Sequence, residues 1–145
     1  MSWILIAAVV IVFVLIWNLR RRFASDRLEH FLERRRASSR LVSLGEFVDG
    51  SRHLSVALAV TDSTFYFENS DMQASVDLER VEEIDYATEL ATGGTISGGR
   101  VLRLRSHSQT FEFVLSEDVA SRWNVILPAR RTPLVIAPAV APSLA

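Results

Sequence analysis

Apolar positions along the chain follow three rhythms, and each predicts a different element. The first is an unbroken run. From Trp3 to Leu19 no charge occurs and Asn18 is the one clearly polar side chain; Arg20, Arg21 and Arg22 then end it. A helix satisfies its own backbone polar groups where water is absent, so such a run can enter a bilayer. Its 17 residues reach about 25 Å, slightly short of a hydrocarbon core of ~30 Å. Arginine stems cover the difference by snorkelling to the headgroups. The 12 Leu, Ile, Val and Phe residues from Ile4 to Leu19 contribute about −4 to −7 kcal/mol towards insertion. Trp3 and Trp17 sit near the two ends, where aromatic belts form. A cleaved secretory signal would carry its positive charge before the apolar run and a small-residue cleavage site after it, the reverse of this order. A buried soluble helix is the other competing reading. The expectation is a retained transmembrane anchor over residues 1–22. The arginines that follow it place Met1 outside and the rest of the chain in the cytoplasm, at an inner or plasma membrane.

The second rhythm is helical and brief. Leu28, Phe31 and Leu32 are spaced i, i+3, i+4, and Phe23 precedes them. Ser25 or Asp26 would cap a new helix, or the anchor runs on through Arg36. An amphipathic helix lying on the inner leaflet, or a self-association segment, competes with a solvated basic stalk over residues 23–40. So few apolar residues make a narrow face, which favours the stalk.

From Leu41 the period becomes two. Leu41–Val48 is a first strand, and Leu54–Val60 alternates large apolar with small residues, as a strand with one buried face does. Thr61–Ser63 reads as a turn and Thr64–Glu68 as an aromatic strand. Ala74–Leu78 and Val81–Thr88 are two more short strands, and a loop with Gly93, Gly94, Gly98 and Gly99 follows. Val101–Arg105 and Thr110–Val114 then alternate around Ser106–Gln109. A four-residue hairpin loop there sets Leu104 against Phe111 and Leu102 against Phe113 on the buried side. Arg103 falls opposite Glu112 on the exposed side, and a one-residue slip would turn aromatics into water. Ser116 with Glu117 and Asp118 is a helix start. Val119, Trp123, Ile126 and Leu127 mark that helix's inner face, and Pro128 stops it. Residues 128–145, rich in Pro, Ala and Val, read as a disordered tail.

These elements define an α+β, mainly β, domain over residues 41–127: six to seven antiparallel strands closed by a C-terminal helix bearing a buried Trp123. Phe65, Phe67, Phe111 and Phe113 are its other structural aromatics. Leu58–Phe67 (hydrophobic, Thr, Asp, two residues, aromatic), Val76–Ile84 and the Trp123 helix together resemble the pleckstrin-homology-like superfold, in particular its GRAM-like and bacterial PH-like branches. The resemblance implies a fold and leaves the function open.

Charge sharpens the picture. Sixteen basic against 17 acidic residues nearly cancel, but they are segregated. Residues 18–40 carry a net +5, residues 41–127 a net −8, and Arg130 and Arg131 add two positive charges. An acidic body beyond a basic collar is a poor partner for nucleic acid, whose affinity comes from neutralised phosphates. With no cysteine, there is no disulfide, thiol nucleophile or zinc–thiolate site. His30, His53 and His107 lie in separate segments with no metal-ligand spacing, and no Gly-x-Ser-x-Gly elbow occurs. Glu79, Glu82, Glu83 and Asp85 suggest a cation site less than a solvated strand face. The loop Thr92–Arg100 lacks the Lys-Ser/Thr ending of a phosphate-binding loop and joins two strands, so it reads as a hairpin loop. No cofactor or metal is expected.

Lipid binding is the function the resemblance first implies, with Arg52, His53, Arg100, Arg103 and Arg105 as its contacts. The domain's negative charge and Arg103's partner Glu112 count against it. The sequence therefore predicts a non-enzymatic, single-pass membrane protein whose acidic domain is an interaction module for another protein. Sensing of anionic headgroups is the alternative, and an accessory subunit of a membrane complex a further one.

Overall fold

The computed structural model describes residues 2–131, with side chains described at 9–17 and 26–131. Helix α1 (Ser2–Arg36) runs without interruption into a short turn, where the Ser38 amide donates to the Arg35 carbonyl. The strands follow: β1 (Leu41–Asp49), β2 (Arg52–Val60), β3 (Thr64–Glu68), β4 (Gln73–Asp77), β5 (Glu83–Ala87), β6 (Gly99–Ser106) and β7 (Gln109–Ser116). Helix α2 (Glu117–Ile126) and a two-residue strand β8 (Arg130–Arg131) complete the chain. All eight strands form one antiparallel sheet in the order β4-β3-β2-β1-β7-β6-β5-β8. Two meanders, β1–β4 and β5–β7, thus meet along β1 and β7.

Hydrophobic alternation builds the concave face. Val56, Leu58, Val60, Phe65, Phe67, Leu102, Leu104, Phe113 and Leu115 all point inward, and α2 closes over them with Ala120, Trp123 and Leu127. Phe65 sits 5.3 Å from Trp123 and 5.0 Å from Phe113, centroid to centroid, within the range where aromatic pairs attract. The fully buried Trp123 indole N–H donates to the Ser43 hydroxyl at 2.8 Å, so its one polar atom is satisfied across 80 residues of sequence.

The hairpin register agrees with expectation: Leu104 pairs with Phe111, Leu102 with Phe113, and Arg103 with Glu112. Its connection is tighter than expected. Ser106 and Gln109 pair with each other, so only His107 and Ser108 turn the chain, with His107 at φ 54°. An eighth strand also appears where a tail was expected: Arg130 and Arg131 pair with Ile84 and Glu83 at the edge of β5. The tail beyond Arg131 lies outside the described residues.

Three expectations about the convex face need correction. Strand β2 does not have a single buried face, since Val56 to Val60 are all buried. Residues 23–40 are not a free stalk either. Leu28 and Phe31 are 8% and 2% exposed and pack on Ala57 and Ala59, with Leu32, Val42 and Tyr66 around them. The alanines at alternate positions of β2 leave room for the helix, which is why that face carries small residues. Third, Glu112 is not on an open surface. The loop after β5 folds back over β6 and β7, burying Leu90 against Val48 and Val101.

Among the described residues no helix is long and apolar enough to cross a membrane, so the expected span is not recovered there. Of the apolar run, only Val9 to Trp17 have described side chains, each 51–67% exposed. The anchor side chains Trp3, Arg20, Arg21 and Arg22 lie outside the described set, while Trp17 is 66% exposed.

Candidate functional site

Register places a row of charge across the convex face. Asp85 on β5, Arg103 on β6 and Glu112 on β7 are successive neighbours. Arg103 donates to Glu112 at 2.9 Å, lies 3.5 Å from Asp85 and reaches the Glu89 carbonyl at 3.0 Å. The Glu112 carboxylate in turn accepts the Ala91 amide at 2.9 Å. The pair clamps the β5–β6 loop at two backbone points, which accounts for the burial of Glu112. One register step away, Arg105 and Arg131 both pair with Glu83, at 3.1 and 3.2 Å.

The five residues expected to contact lipid or a partner are not brought together. Arg103 and Arg105 are adjacent on the convex side of β6. His53 lies on β2, beyond β7 and β1. Arg52 is at the β1–β2 turn, and Arg100 reaches α2. Each already faces an acid: Arg52 with Asp49 at 3.2 Å, His53 with Glu46 at 3.1 Å, Arg100 with Glu117 at 3.1 Å, and Arg103 and Arg105 as above. The acids Glu82, Glu83 and Asp85 are correspondingly partnered rather than a bare solvated strand face. Among the described residues no group of three His, Asp or Glu side chains is placed to hold a metal ion.

Sequence reasoning missed a different cluster. Where α1 leaves the sheet it forms a cleft of about 520 Å³ with the β3–β4 turn, lined by Asp26, Arg27, His30, Phe31 and Arg34 of the helix, by Glu68 at the end of β3 and by Asn69 and Ser70 of the turn. Asn69 shapes this turn by accepting the amides of Asp71 and Met72 at 2.9 and 2.8 Å. Arg34 makes one 3.4 Å contact with Glu68 Oε1, and Arg35 stacks 4.0 Å above the Tyr66 ring. The other carboxylate oxygen, Glu68 Oε2, is buried with no hydrogen-bond partner. The only sequence signal was the i, i+3, i+4 set Arg27, His30 and Phe31. It points to a shared helix face but cannot say what that face meets.

Among the described residues, two ionisable groups outside the clusters are perturbed. Burial holds the Tyr86 phenol above its ordinary value of 10.0, and its hydroxyl donates to the Leu127 carbonyl at 2.8 Å. A hydrogen bond from the Ser116 hydroxyl holds the Asp118 carboxyl below its usual range. Ser116 does precede α2 as expected, but its hydroxyl serves Asp118 and makes no cap bond to the helix backbone.

The arrangement defines an antiparallel β-sheet domain with a C-terminal helix. No family model, curated protein or solved structure matches the chain.

Proposed function

We propose that the chain is a non-enzymatic, single-pass membrane protein that holds a PH-like domain on the cytoplasmic side as a protein-interaction module. The observation that carries this reading is α1 itself. One helix bears nine consecutive exposed apolar residues, Val9 to Trp17, and then packs Leu28 and Phe31 into the sheet. Exposed apolar surface of that extent calls for a cover, and a bilayer supplies one on all sides of a helix. The unbroken order β4-β3-β2-β1-β7-β6-β5, with a helix following β7, supports the PH-like assignment.

The pairing of Arg52, His53, Arg100, Arg103 and Arg105 with acids favours a protein partner over capture of anionic lipid by those residues. Paired cations offer an anionic leaflet little of the roughly 1 kcal/mol that each unpaired one contributes. The test has two stages. Alkaline carbonate washing of membranes from cells making the full chain should leave it in the pellet, and release into the supernatant sinks the anchor. Detergent extracts of the full chain and of a chain ending at Arg40 are then compared by affinity capture. A partner held through the domain is recovered with the first and lost with the second. The same partners from both overturn the interaction role.

A further inference from the structure

We propose that the outer edge of β4 docks an extended segment of a partner protein as an added antiparallel strand, one that alternates acidic with apolar residues. The inference rests on the protein-interaction reading and adds to it a surface and the chemistry of the partner.

Hydrogen-bond phase identifies the edge. The Asn69 amide donates to the Met72 carbonyl and the Leu78 amide to the Ser63 carbonyl, each at 2.8 Å, one at either end of the β3–β4 ladder. Between them the pairs run from Glu68–Gln73 to Thr64–Asp77 without a bulge. With a period of two, Ala74 and Val76 turn their backbone groups to β3, while Gln73, Ser75 and Asp77 turn theirs away from it. At the far side of the sheet β8 covers part of the β5 edge, but among the described residues no strand pairs with the outer side of β4. A free row of amides and carbonyls is a template for another strand, and proteins commonly block it with Pro, a basic side chain or a bulge. The sequence Gln-Ala-Ser-Val-Asp of β4 has none of these.

The two faces of the edge decide what pairs with it. A residue opposite Gln73 or Ser75 has its side chain on the convex side, beside the end of α1. There Arg34, Arg35, Ser38, Glu68 and Gln73 line a hollow of about 460 Å³. Arg34 meets Glu68 and Arg36 meets Glu33, but Arg35 is stacked on the face of Tyr66, the register partner of Ser75. Stacking leaves the guanidinium N–H groups free at its rim, and Ser75 is small enough for a glutamate on the added strand to reach them. Residues opposite Ala74 and Val76 fall on the concave side, where Met72, Ala74 and Val76 pack against the core, so apolar side chains suit them. A second copy of this chain fits worse. Helix α1 runs beside the sheet from the β3–β4 turn to Arg40, whose amide donates to the Val60 carbonyl at the opposite end. Two β4 strands paired antiparallel are related by a two-fold axis across them. They send the two apolar runs in opposite directions, which anchoring in one membrane forbids.

The test uses the full chain in a neutral detergent and a fluorescein-labelled heptapeptide alternating valine and glutamate, with binding read by anisotropy. This peptide should bind at least about tenfold more tightly than one alternating valine and lysine. Residues opposite Gln73 and Ser75 in an antiparallel pair exchange both hydrogen bonds with them. N-methylation of the glutamate amides should therefore abolish binding, and N-methylation of the valine amides should preserve it. Ser75→Pro removes an outward N–H and no bond to β3, so the chain should still unfold cooperatively while its affinity falls at least about tenfold. Arg35→Gln should weaken the glutamate peptide about fivefold and narrow its lead over the lysine peptide, while Arg52→Gln at the β1–β2 turn changes neither. No binding, equal binding of the two peptides, or equal effects of the two methylations overturns the proposal. So does a dimer of the chain that Ser75→Pro dissociates, since a second copy is then the occupant. The methylated peptides read the edge on the unsubstituted chain, whatever Ser75→Pro does to folding. Affinity capture from extracts separates the edge from the interaction role: partners recovered equally by the Ser75→Pro chain overturn the edge and leave the role standing.

Discussion

At the scale of single residues, the structure depends on a few polar atoms placed where no water can replace a partner. The Ser43 hydroxyl accepts the Trp123 indole N–H inside the core. Ser43→Ala removes a small group and leaves that N–H without an acceptor, so the loss should be about 1–3 kcal/mol, read as a lower midpoint in urea. Tyr86 gives a pH signature. Its folded pKa is raised above the ordinary value of 10.0, so the stability it contributes is fully present below pH 10 and is lost as pH rises beyond it. Thermal unfolding of the full chain between pH 9 and 11 should show this decline. Tyr86→Phe should flatten the decline and, at pH 7, cost only the roughly 1 kcal/mol of the bond to Leu127.

At the scale of elements, what the sequence revealed and what it concealed have separate physical causes. The β6–β7 pairing was legible because two clean alternations share one turn, and any slip would expose Phe111 or Phe113. The loop over Glu112 was not, because its clamp is one backbone amide and one carbonyl, and backbone groups leave no mark on sequence. Helix α1's seat was half legible. Ala57 and Ala59 looked like the plain side of a strand, yet small residues at alternate positions also permit close approach by another element. Only contact over distance tells the two apart. Phe31→Ala should release this seat at a cost of about 3 kcal/mol, read as faster amide exchange over residues 28–36 and at Ala57 and Ala59. Exchange in β6 and β7 should stay unchanged. Accelerated exchange throughout would mean that the helix is part of a single cooperative core.

At the scale of the whole molecule, charge segregation takes on a geometric meaning. The described end of the basic collar meets the sheet, with Arg34 against Glu68 and Arg35 on Tyr66, so some of its charge serves to fasten helix to domain. The other acids are spread over the domain, from Glu46 and Asp49 on β1 to Glu83 and Asp85 on β5 and Glu117 and Asp118 on α2. The two meanders join along β1 and β7 through only three register pairs, Glu46–Val114, Phe47–Phe113 and Val48–Glu112. This narrow seam has a consequence for how the chain comes into being. Helix α1, β1 and β2 are consecutive and touch one another, so they can assemble while the later strands are still being synthesised. The seam must wait for β7, more than sixty residues further on, and closing so long a loop is the slow event in a fold of this kind. Phe47→Leu should therefore slow refolding from urea in detergent, whereas Val76→Ala, within the local β3–β4 pair, should chiefly hasten unfolding. Until closure the newborn domain is two half-sheets with open edges, one of them already tethered by α1.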